Sequence, residues 1–112
     1  SGIGRGIFTE KQFFNFQLEL KKKLCSLKIF IDDVQFCPFH EKAKLKIYRK
    51  KTNLRKPGNG MLLNLFQDWP LIKKKSIMIG DQISDEICAN KTGIKFMNIN
   101  DVNLKRLRKI LN

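Results

Sequence analysis

Two carboxylates stand directly after a short apolar segment in the second half of the chain. Residues 77–79 are three apolar residues in a row, Gly80 follows them, and Asp81 and Asp85 lie four positions apart beyond it. The apolar run is typical of a buried strand in a parallel sheet, and ligands bind such sheets just beyond the carboxyl ends of the strands. A carboxylate at that place suits a hard cation such as Mg2+, which takes oxygen ligands and keeps positions open for phosphate.

The same acids have a second interpretation. Ser84 can cap a helix whose first turn contains Asp85 and Glu86. Acidic side chains stabilise a helix N-terminus without binding any ligand. Spacing alone therefore leaves two alternatives open, a metal site and ordinary helix capping.

A basic turn forms a second candidate site. Arg55, Lys56 and Pro57 lead through a Gly-Asn-Gly segment into a predicted helix at residues 60–69. The exposed N–H groups of a helix N-terminus and neighbouring cationic side chains can hold a phosphate together. The alternative is a solvated basic turn, because lysine and arginine are common in loops.

The elements that must position these residues alternate along the chain. Thr9 and Gln12 form a possible capping box for the first helix, and Asp101 can cap the last one, in which Leu104 is expected to face inward. Hydrophobic patterning predicts helices at 9–27, 60–69, 84–91 and 102–111 and strands at 34–37, 77–79 and 94–99. This order predicts an α/β fold with a parallel sheet flanked by helices, in a single domain over residues 1–112.

Composition restricts the environment of the protein. With 42% hydrophobic and 29% charged residues among 112, the chain is expected to be one small globular domain. Its apolar runs are only a few residues long, which excludes a transmembrane helix, so we expect no membrane partner. No signal peptide opens the sequence, and the three cysteines contain no CxxC pair. These features predict a cytoplasmic protein with reduced thiols.

The net charge of +13 is compatible with two kinds of binding partner. A strong positive charge is compatible with nucleic acid, and a small polyanionic substrate would be served by the same excess. The lysines fall in short runs at predicted helix ends and loops, and no strand interleaves them with aromatic residues that could stack on bases. The pattern argues against nucleic acid and favours the small substrate.

Four motifs occur in order along the chain. They are Ser-Gly-Ile-Gly-Arg-Gly-x-Phe-Thr-Glu, Phe-Cys-Pro-x-His, Arg-Lys-Pro-x-x-Gly-Met-Leu and Ile-Gly-Asp-x-x-Ser-Asp. Together they resemble the haloacid dehalogenase superfamily, and within it the branch of heptose-bisphosphate and histidinol-phosphate phosphatases. The resemblance implies a Rossmann-like core and Mg2+-dependent hydrolysis of a small phosphate monoester through an aspartyl-phosphate, an intermediate that splits one hard displacement into two easier ones.

The resemblance also assigns roles to residues. By position, Asp81 corresponds to a magnesium ligand, and Lys56 to the catalytic lysine that pairs with phosphoryl oxygens. Arg55 corresponds to a substrate-recognition residue, and Ser1 follows the place of a phosphate-binding Thr-Asn-Gln. Gln82 stands where this branch usually has a substrate-binding lysine, which implies a weakened contact.

The second acid of the last motif, Asp85, is expected to support the loop rather than to bind metal. The nucleophile of the family is the first Asp of an Asp-x-Asp on an N-terminal strand, and that motif is not among the 112 residues. Asp32 and Asp33 are adjacent and cannot replace it by position. We therefore expect a core that is incomplete at the N-terminus and a chain that by itself is inactive. Alternatives are a catalytically dead remnant that binds phosphate or a partner, and a basic nucleic-acid-binding protein.

The zinc site common in this branch is a further departure. Cys37 occupies one ligand position, but Phe39 takes the place of a histidine, and Thr52 and Leu54 take those of two cysteines. His40 is displaced by one residue. Because a structural zinc needs four ligands, we predict no zinc, with Cys37 as a small buried hydrophobic residue.

Overall fold

The computed structural model describes residues 2–112, which divide between two compact units, one that extends to residue 52 and one of residues 53–112. The single domain expected from the sequence stays a prediction. Among the helices of the described residues, none combines the length and the apolar character needed to cross a membrane.

The first helix of the first unit is the long helix α1, Glu10–Ser26. Thr9 is its N-cap: the Thr9 hydroxyl accepts the N–H of Gln12 at 3.1 Å, and the Gln12 side chain accepts the N–H of Thr9 at 2.9 Å. This reciprocal pair satisfies two of the N–H groups that lack a partner at a helix start. The predicted helix and its capping box are confirmed, with the helix shorter by one residue at each end.

The strand predicted at residues 34–37 is wrong. A strand needs a hydrogen-bonded neighbour, and within residues 2–112 the sheet contains no strand paired with this segment. Side-chain packing holds it instead, with the ring of Phe36 centred 4.7 Å from that of Phe13 and 5.4 Å from that of Phe14. Cys37 is half-buried rather than buried, and its thiol donates to the carbonyl of Phe39 at 3.6 Å.

The rest of the first unit folds back on itself without a regular strand. His40 and Arg49 form an isolated parallel bridge, in which the N–H of His40 donates to the carbonyl of Tyr48 at 3.0 Å. A short 3-10 helix, Lys46–Tyr48, closes the turn. Ala43 is buried, and its carbonyl accepts from Arg49 Nε at 3.0 Å.

The second unit contains the sheet. Strand β1, Ile77–Gly80, pairs in parallel with strand β2, Lys95–Asn98, with Ile77 opposite Lys95 and Gly80 opposite Asn98. Helix α2, Gly60–Asp68, precedes β1, helix α3, Ile83–Thr92, connects the strands, and helix α4, Leu104–Leu111, follows them. Two 3-10 helices, Lys73–Lys75 and Ile99–Asp101, lie before β1 and after β2. The predicted parallel sheet with flanking helices is confirmed.

Helix α3 packs through one narrow stripe. Its four buried residues, Asp85, Cys88, Ala89 and Thr92, recur at the spacing that places side chains on one helix face. Gly93 ends the helix in the left-handed conformation, at φ 78°, where its N–H reaches the carbonyls of the last turn. This conformation favours glycine.

The cap predicted for α3 is wrong. Gln82, not Ser84, is the N-cap residue, so the helix begins one residue before the predicted cap. The reason is local, because the carboxylate of Asp85 turns back and accepts the N–H of Gln82 at 3.0 Å.

The cap predicted for the last helix is also wrong. Asp101 belongs to the preceding 3-10 helix, and Asn103 caps α4 by accepting the N–H of Arg106 at 2.9 Å. The later start leaves Leu104, expected to face inward, 72% exposed.

Candidate functional site

The candidate site lies at the carboxyl end of β1. Gly80 is the last residue of the strand, Asp81 follows it, and Gln82 caps α3. The side chains of Asp81 and Gln82 are exposed. The strand thus brings the exposed carboxylate of Asp81 to the edge at which parallel sheets bind ligands.

The centre of the site is an ion pair between Lys56 and Asp85. The ammonium of Lys56 donates to Asp85 Oδ1, while Oδ2 accepts the backbone N–H of Gln82 at 3.0 Å. The side chain of Asp85 is 4% exposed and that of Lys56 is 39% exposed. Both carboxylate oxygens are therefore satisfied within the fold, and the Lys56 side chain remains partly exposed to solvent.

Opposing influences set the protonation of Asp85. Burial by itself raises the pKa of this carboxyl, since it disfavours the charged form. The hydrogen bond and the positive charge of Lys56, together with the N–H groups of Gln82 and Asp81, outweigh burial and lower the pKa below its ordinary value of 3.8. Asp85 is therefore a carboxylate at neutral pH, and it holds Lys56 by a charge-assisted hydrogen bond.

Gly80 makes room for this carboxylate. A Cβ atom at Gly80 would lie 2.6 Å from Cγ of Asp85 and 2.7 Å from its Cβ, far inside van der Waals contact. The glycine of the Ile-Gly-Asp motif is thus required by the close approach of Asp85 to the strand end. Its φ is not in the left-handed region, so space and not backbone conformation decides the residue type.

Lys56 lies on a tight turn, residues 53–59, which we call the Lys56 loop. The N–H of Gly58 donates to the carbonyl of Arg55 at 2.8 Å, and the N–H of Gly60 donates to the carbonyl of Asn53 at 2.9 Å. A Cβ atom at Gly58 would lie 2.7 Å from Asn53 Oδ1. The loop leads directly into α2, so its cations stand beside a helix N-terminus, as the sequence predicted.

The structure brings some of the predicted site residues together and leaves others apart. Lys56 and Asp85 are in contact, although the sequence assigned Asp85 only to loop support. Arg55 lies half-buried in the same loop. Ser1, predicted to bind substrate, lies outside the described residues. The contact of Asn59 with Thr92 was not predicted, and its signal in the sequence is the seven-residue spacing from Asp85 to Thr92 on one helix face.

Few side chains of the site could serve as ligands for a metal ion. In residues 2–112, no group of three His, Cys, Asp or Glu side chains is placed to hold a metal ion. Asp81 offers an exposed carboxylate, which suits Mg2+ as one ligand among water and phosphate oxygens, whereas Asp85 is already engaged by Lys56. His40 Nδ1 accepts the N–H of Lys42 at 2.9 Å. The residues fit a magnesium ion held by one protein carboxylate. The predicted magnesium site and the predicted absence of zinc both stay predictions.

Residues 26–99 match the model of the haloacid dehalogenase-like hydrolases. This segment contains the Lys56 loop, β1 and α3. The chain belongs to this family.

Named relatives of this haloacid dehalogenase-like chain are phosphatases. It is 39% identical over 94 residues to the D-glycero-beta-D-manno-heptose-1,7-bisphosphate 7-phosphatase of Rhodopseudomonas palustris, covering 84% of the chain and 52% of that protein. Identity to the enzyme of the same name from Photorhabdus laumondii is 35%, covering 87% and 53%. Identity to the D-glycero-alpha-D-manno-heptose-1,7-bisphosphate 7-phosphatase of Burkholderia mallei is 33%, covering 84% and 50%. The chain thus spans about half the length of these relatives.

A solved structure supports the same fold. The crystal structure of a protein described as a HAD-like phosphatase, from Mesorhizobium loti, superposes with a TM-score of 0.77 at 28% identity. The superposition covers 84% of this chain and 45% of that one. The predicted α/β core of the haloacid dehalogenase type is confirmed.

Proposed function

We propose that this chain forms the phosphate-binding part of a phosphatase that acts on a small phosphorylated sugar of the heptose-bisphosphate type. Histidinol phosphate is the alternative substrate. The observation that carries the proposal is the Lys56 ammonium, which is fixed on the buried Asp85 carboxylate beside the carboxyl end of β1. The relatives named as heptose-bisphosphate phosphatases support the choice of substrate class.

Lys56 is suited to hold a phosphoryl group. An ammonium has three N–H donors, and Asp85 occupies one of them. The remaining donors belong to a side chain that is 39% exposed, so they can meet phosphate oxygens and stabilise the negative charge that develops during transfer. Asp85 already orients the ammonium in the free protein. Phosphate binding therefore costs little additional conformational entropy of the Lys56 side chain.

The neighbouring residues complete the proposed substrate contacts. The guanidinium of Arg55 offers a planar fork of donors that matches a second anionic group or a sugar hydroxyl. Gln82 supplies a neutral amide beside Asp81 and adds no charge to the phosphate contact. These assignments rest on position in the loop and at the strand end, together with the family resemblance.

Magnesium is the cofactor that we propose. Asp81 would hold it as one carboxylate ligand, and the ion, when bound, neutralises phosphoryl charge as a Lewis acid. Lys56 and Arg55 bind and orient the phosphate, and Asp85 keeps Lys56 in place. The remaining ligands of the magnesium ion would come from phosphate, water and residues outside these 112.

The nucleophile is proposed to lie in the part of the relatives that this chain does not cover. On this proposal the 112 residues bind phosphate but do not hydrolyse the ester by themselves. The intact mass of the protein from its natural source decides the matter. A mass clearly above 13.1 kDa supports a longer enzyme, whereas a mass of 13.1 kDa supports a phosphate-binding remnant and contradicts catalysis.

Binding of inorganic phosphate tests the core of the proposal. Titration of the chain with phosphate, followed by NMR chemical shifts in the presence of Mg2+, is expected to perturb the Lys56 loop and the residues after β1. The Lys56→Ala variant should weaken binding by roughly tenfold or more, since a hydrogen bond to a charged group contributes about 1.5–3 kcal/mol. Lys95→Ala is the matched control, because it removes an exposed lysine from the amino end of β2.

A second variant guards against misfolding. Lys56→Ala leaves the buried carboxylate of Asp85 without its cation, which is destabilising. The double variant Lys56→Met with Asp85→Asn removes both charges and keeps the approximate volume. Unchanged phosphate affinity in the folded double variant, or an equal loss in Lys95→Ala, would contradict the proposed role of Lys56.

A further inference from the structure

We infer that Thr92, acting through Asn59, is a positioning residue that holds the Lys56 loop on α3. The Nδ2 group of Asn59 donates to Oγ1 of Thr92 at 3.3 Å, and the Thr92 hydroxyl donates to the carbonyl of Cys88 at 2.9 Å. Asn59 is the last residue of the loop that carries Lys56. The inference rests on the proposed function in one respect, because phosphate binding by Lys56 is what the positioning would serve.

The two attachment points share one face of α3. Asp85 and Thr92 are seven residues apart, which is close to two helical turns, so their side chains project from the same face. Cys88 and Ala89 lie between them and are 1% and 0% exposed. Small side chains in the middle let the loop approach closely, while polar groups at both ends of the stripe hold it in place.

The hydrogen-bond directions leave no ambiguity at Thr92. A threonine hydroxyl has one proton to donate, and Thr92 gives it to the carbonyl four residues earlier. Its oxygen can therefore only accept from the loop, and Asn59 presents its amide N–H. Thr92 is 2% exposed, so water cannot readily replace this donor.

The side chain of Asn59 does not have the capping role that is usual for asparagine at a helix N-terminus. Asparagine at a helix N-cap ordinarily accepts an N–H from the first turn with its side chain. Asn59 occupies the N-cap of α2, but its side chain makes no capping hydrogen bond, and only its backbone carbonyl accepts, from Leu63 at 2.9 Å. The Asn59 side chain is thus directed to α3. This contact fixes the end of the Lys56 loop relative to α3, the helix whose Asp85 binds Lys56.

A long lysine side chain needs such a second anchor. Lysine has several rotatable bonds, so the ion pair with Asp85 does not by itself fix the backbone of the loop. Asn59 is three residues further along the loop and fixes its backbone at a different height on α3. Loss of this anchor should let the ammonium leave the carboxylate for part of the time, which weakens both the ion pair and any ligand contact of Lys56.

The pKa of Asp85 in Thr92→Val tests the inference directly. Valine keeps the shape and removes the hydroxyl, so the pKa of Asp85, followed by NMR titration of its carboxyl carbon, should rise from its lowered value. Affinity for inorganic phosphate should fall by roughly two- to tenfold, which corresponds to the loss of one hydrogen bond. Thr92→Ser keeps the hydroxyl and should restore both quantities.

Ser76→Ala is the matched control. Ser76 also donates its hydroxyl to a carbonyl four residues earlier, that of Ile72, at 2.8 Å. Its removal should leave the pKa of Asp85 unchanged, whereas a purely structural role of Thr92 would make the two variants alike. If Thr92→Val does not fold, Asn59→Ala removes the same contact from the loop side and should raise the same pKa.

The outcomes separate this inference from the proposed function. An unchanged Asp85 pKa in folded Thr92→Val and Asn59→Ala would overturn the positioning role. A raised pKa in both variants supports it even where the wild-type chain binds no phosphate, and that result would contradict the proposed function alone.

Discussion

Lys56 and Asp85, 29 positions apart in sequence, form an ion pair whose acid is buried and whose base is partly open to solvent. Most surface ion pairs contribute little to stability, because both partners remain hydrated. Here the carboxylate is only 4% exposed and depends on Lys56 and on the N–H of Gln82. The asymmetry fixes the lysine from one side and leaves its other donors available to a ligand.

Acid should destabilise the second unit through Asp85. Folding lowers the pKa of this carboxyl below 3.8, so the unfolded chain binds protons more readily than the folded one. The stabilisation is therefore complete above the unfolded pKa, and it is lost as the pH falls from about that value through the lower native pKa. Urea unfolding followed between pH 7 and pH 2 should show the decline.

Asp85→Asn is the variant that checks this acid effect. It should lower the free energy of unfolding at pH 7 by about 1–3 kcal/mol, since it weakens a hydrogen bond to a charged group. It should also flatten the decline below pH 4, because the titrating group is gone. Asp81→Asn is the control, as Asp81 is exposed. A decline that keeps its full size in Asp85→Asn would assign the acid effect to another group.

Gly80→Ala should displace the Asp85 carboxylate. The new methyl group would lie 2.6 Å from Cγ of Asp85, and crowding of this kind typically costs about 1–3 kcal/mol. The carboxylate can relieve the contact only by moving, which disturbs its contact with Lys56. We expect a lower free energy of unfolding together with weaker phosphate binding.

A double-mutant cycle identifies the cause of that loss. If the clash with the carboxylate group is responsible, Gly80→Ala should cost less in an Asp85→Ala background, which removes Cγ and both oxygens but keeps the Cβ contact at 2.7 Å, than in the wild-type chain. Equal costs in the two backgrounds would mean that the Cβ contact or backbone effects, and not the carboxylate, require glycine at this position.

The sequence predicted best where local chemistry decides the structure. Strand β1, its terminal glycine and the glycine that ends α3 follow from apolar runs and from backbone geometry, which depend on few neighbours. The helix starts were less predictable, since several polar residues near each start can act as caps. Gln82 became the cap of α3 because Asp85 turns back onto its N–H, and no property of Ser84 excludes it in advance.

Long-range partners explain the remaining differences. Residues 34–37 have the composition of a strand, but a strand requires a neighbour, and composition does not show whether one is present. Similarly, Asp85 carries the same capping signal whether or not a lysine 29 positions away reaches it. The candidate site could be located from motif spacing, whereas the contacts that hold it together required coordinates.

Thr9→Ala should destabilise helix α1. Thr9 and Gln12 satisfy each other's backbone N–H groups, and α1 contains no buried residue, so packing compensates little for a lost cap. Removal of a threonine cap typically costs about 0.5–2 kcal/mol. Circular dichroism should show reduced helix content on heating. Thr9→Ser, which keeps the hydroxyl, is the control and should behave like the wild type, and equal behaviour of both variants would contradict a capping role.

Gln82→Lys should strengthen phosphate binding. The substitution places an ammonium next to Asp81 at the exposed end of β1, where the family resemblance implies a substrate-binding lysine. An exposed charge pair contributes about 0.2–1 kcal/mol, so the gain in affinity should be roughly one-and-a-half- to fivefold and should shrink as salt screens the charges. Gln67→Lys adds the same charge at an exposed position of α2 and should leave the affinity nearly unchanged. An equal gain in both variants would show that net charge, and not the place of Gln82, governs phosphate binding.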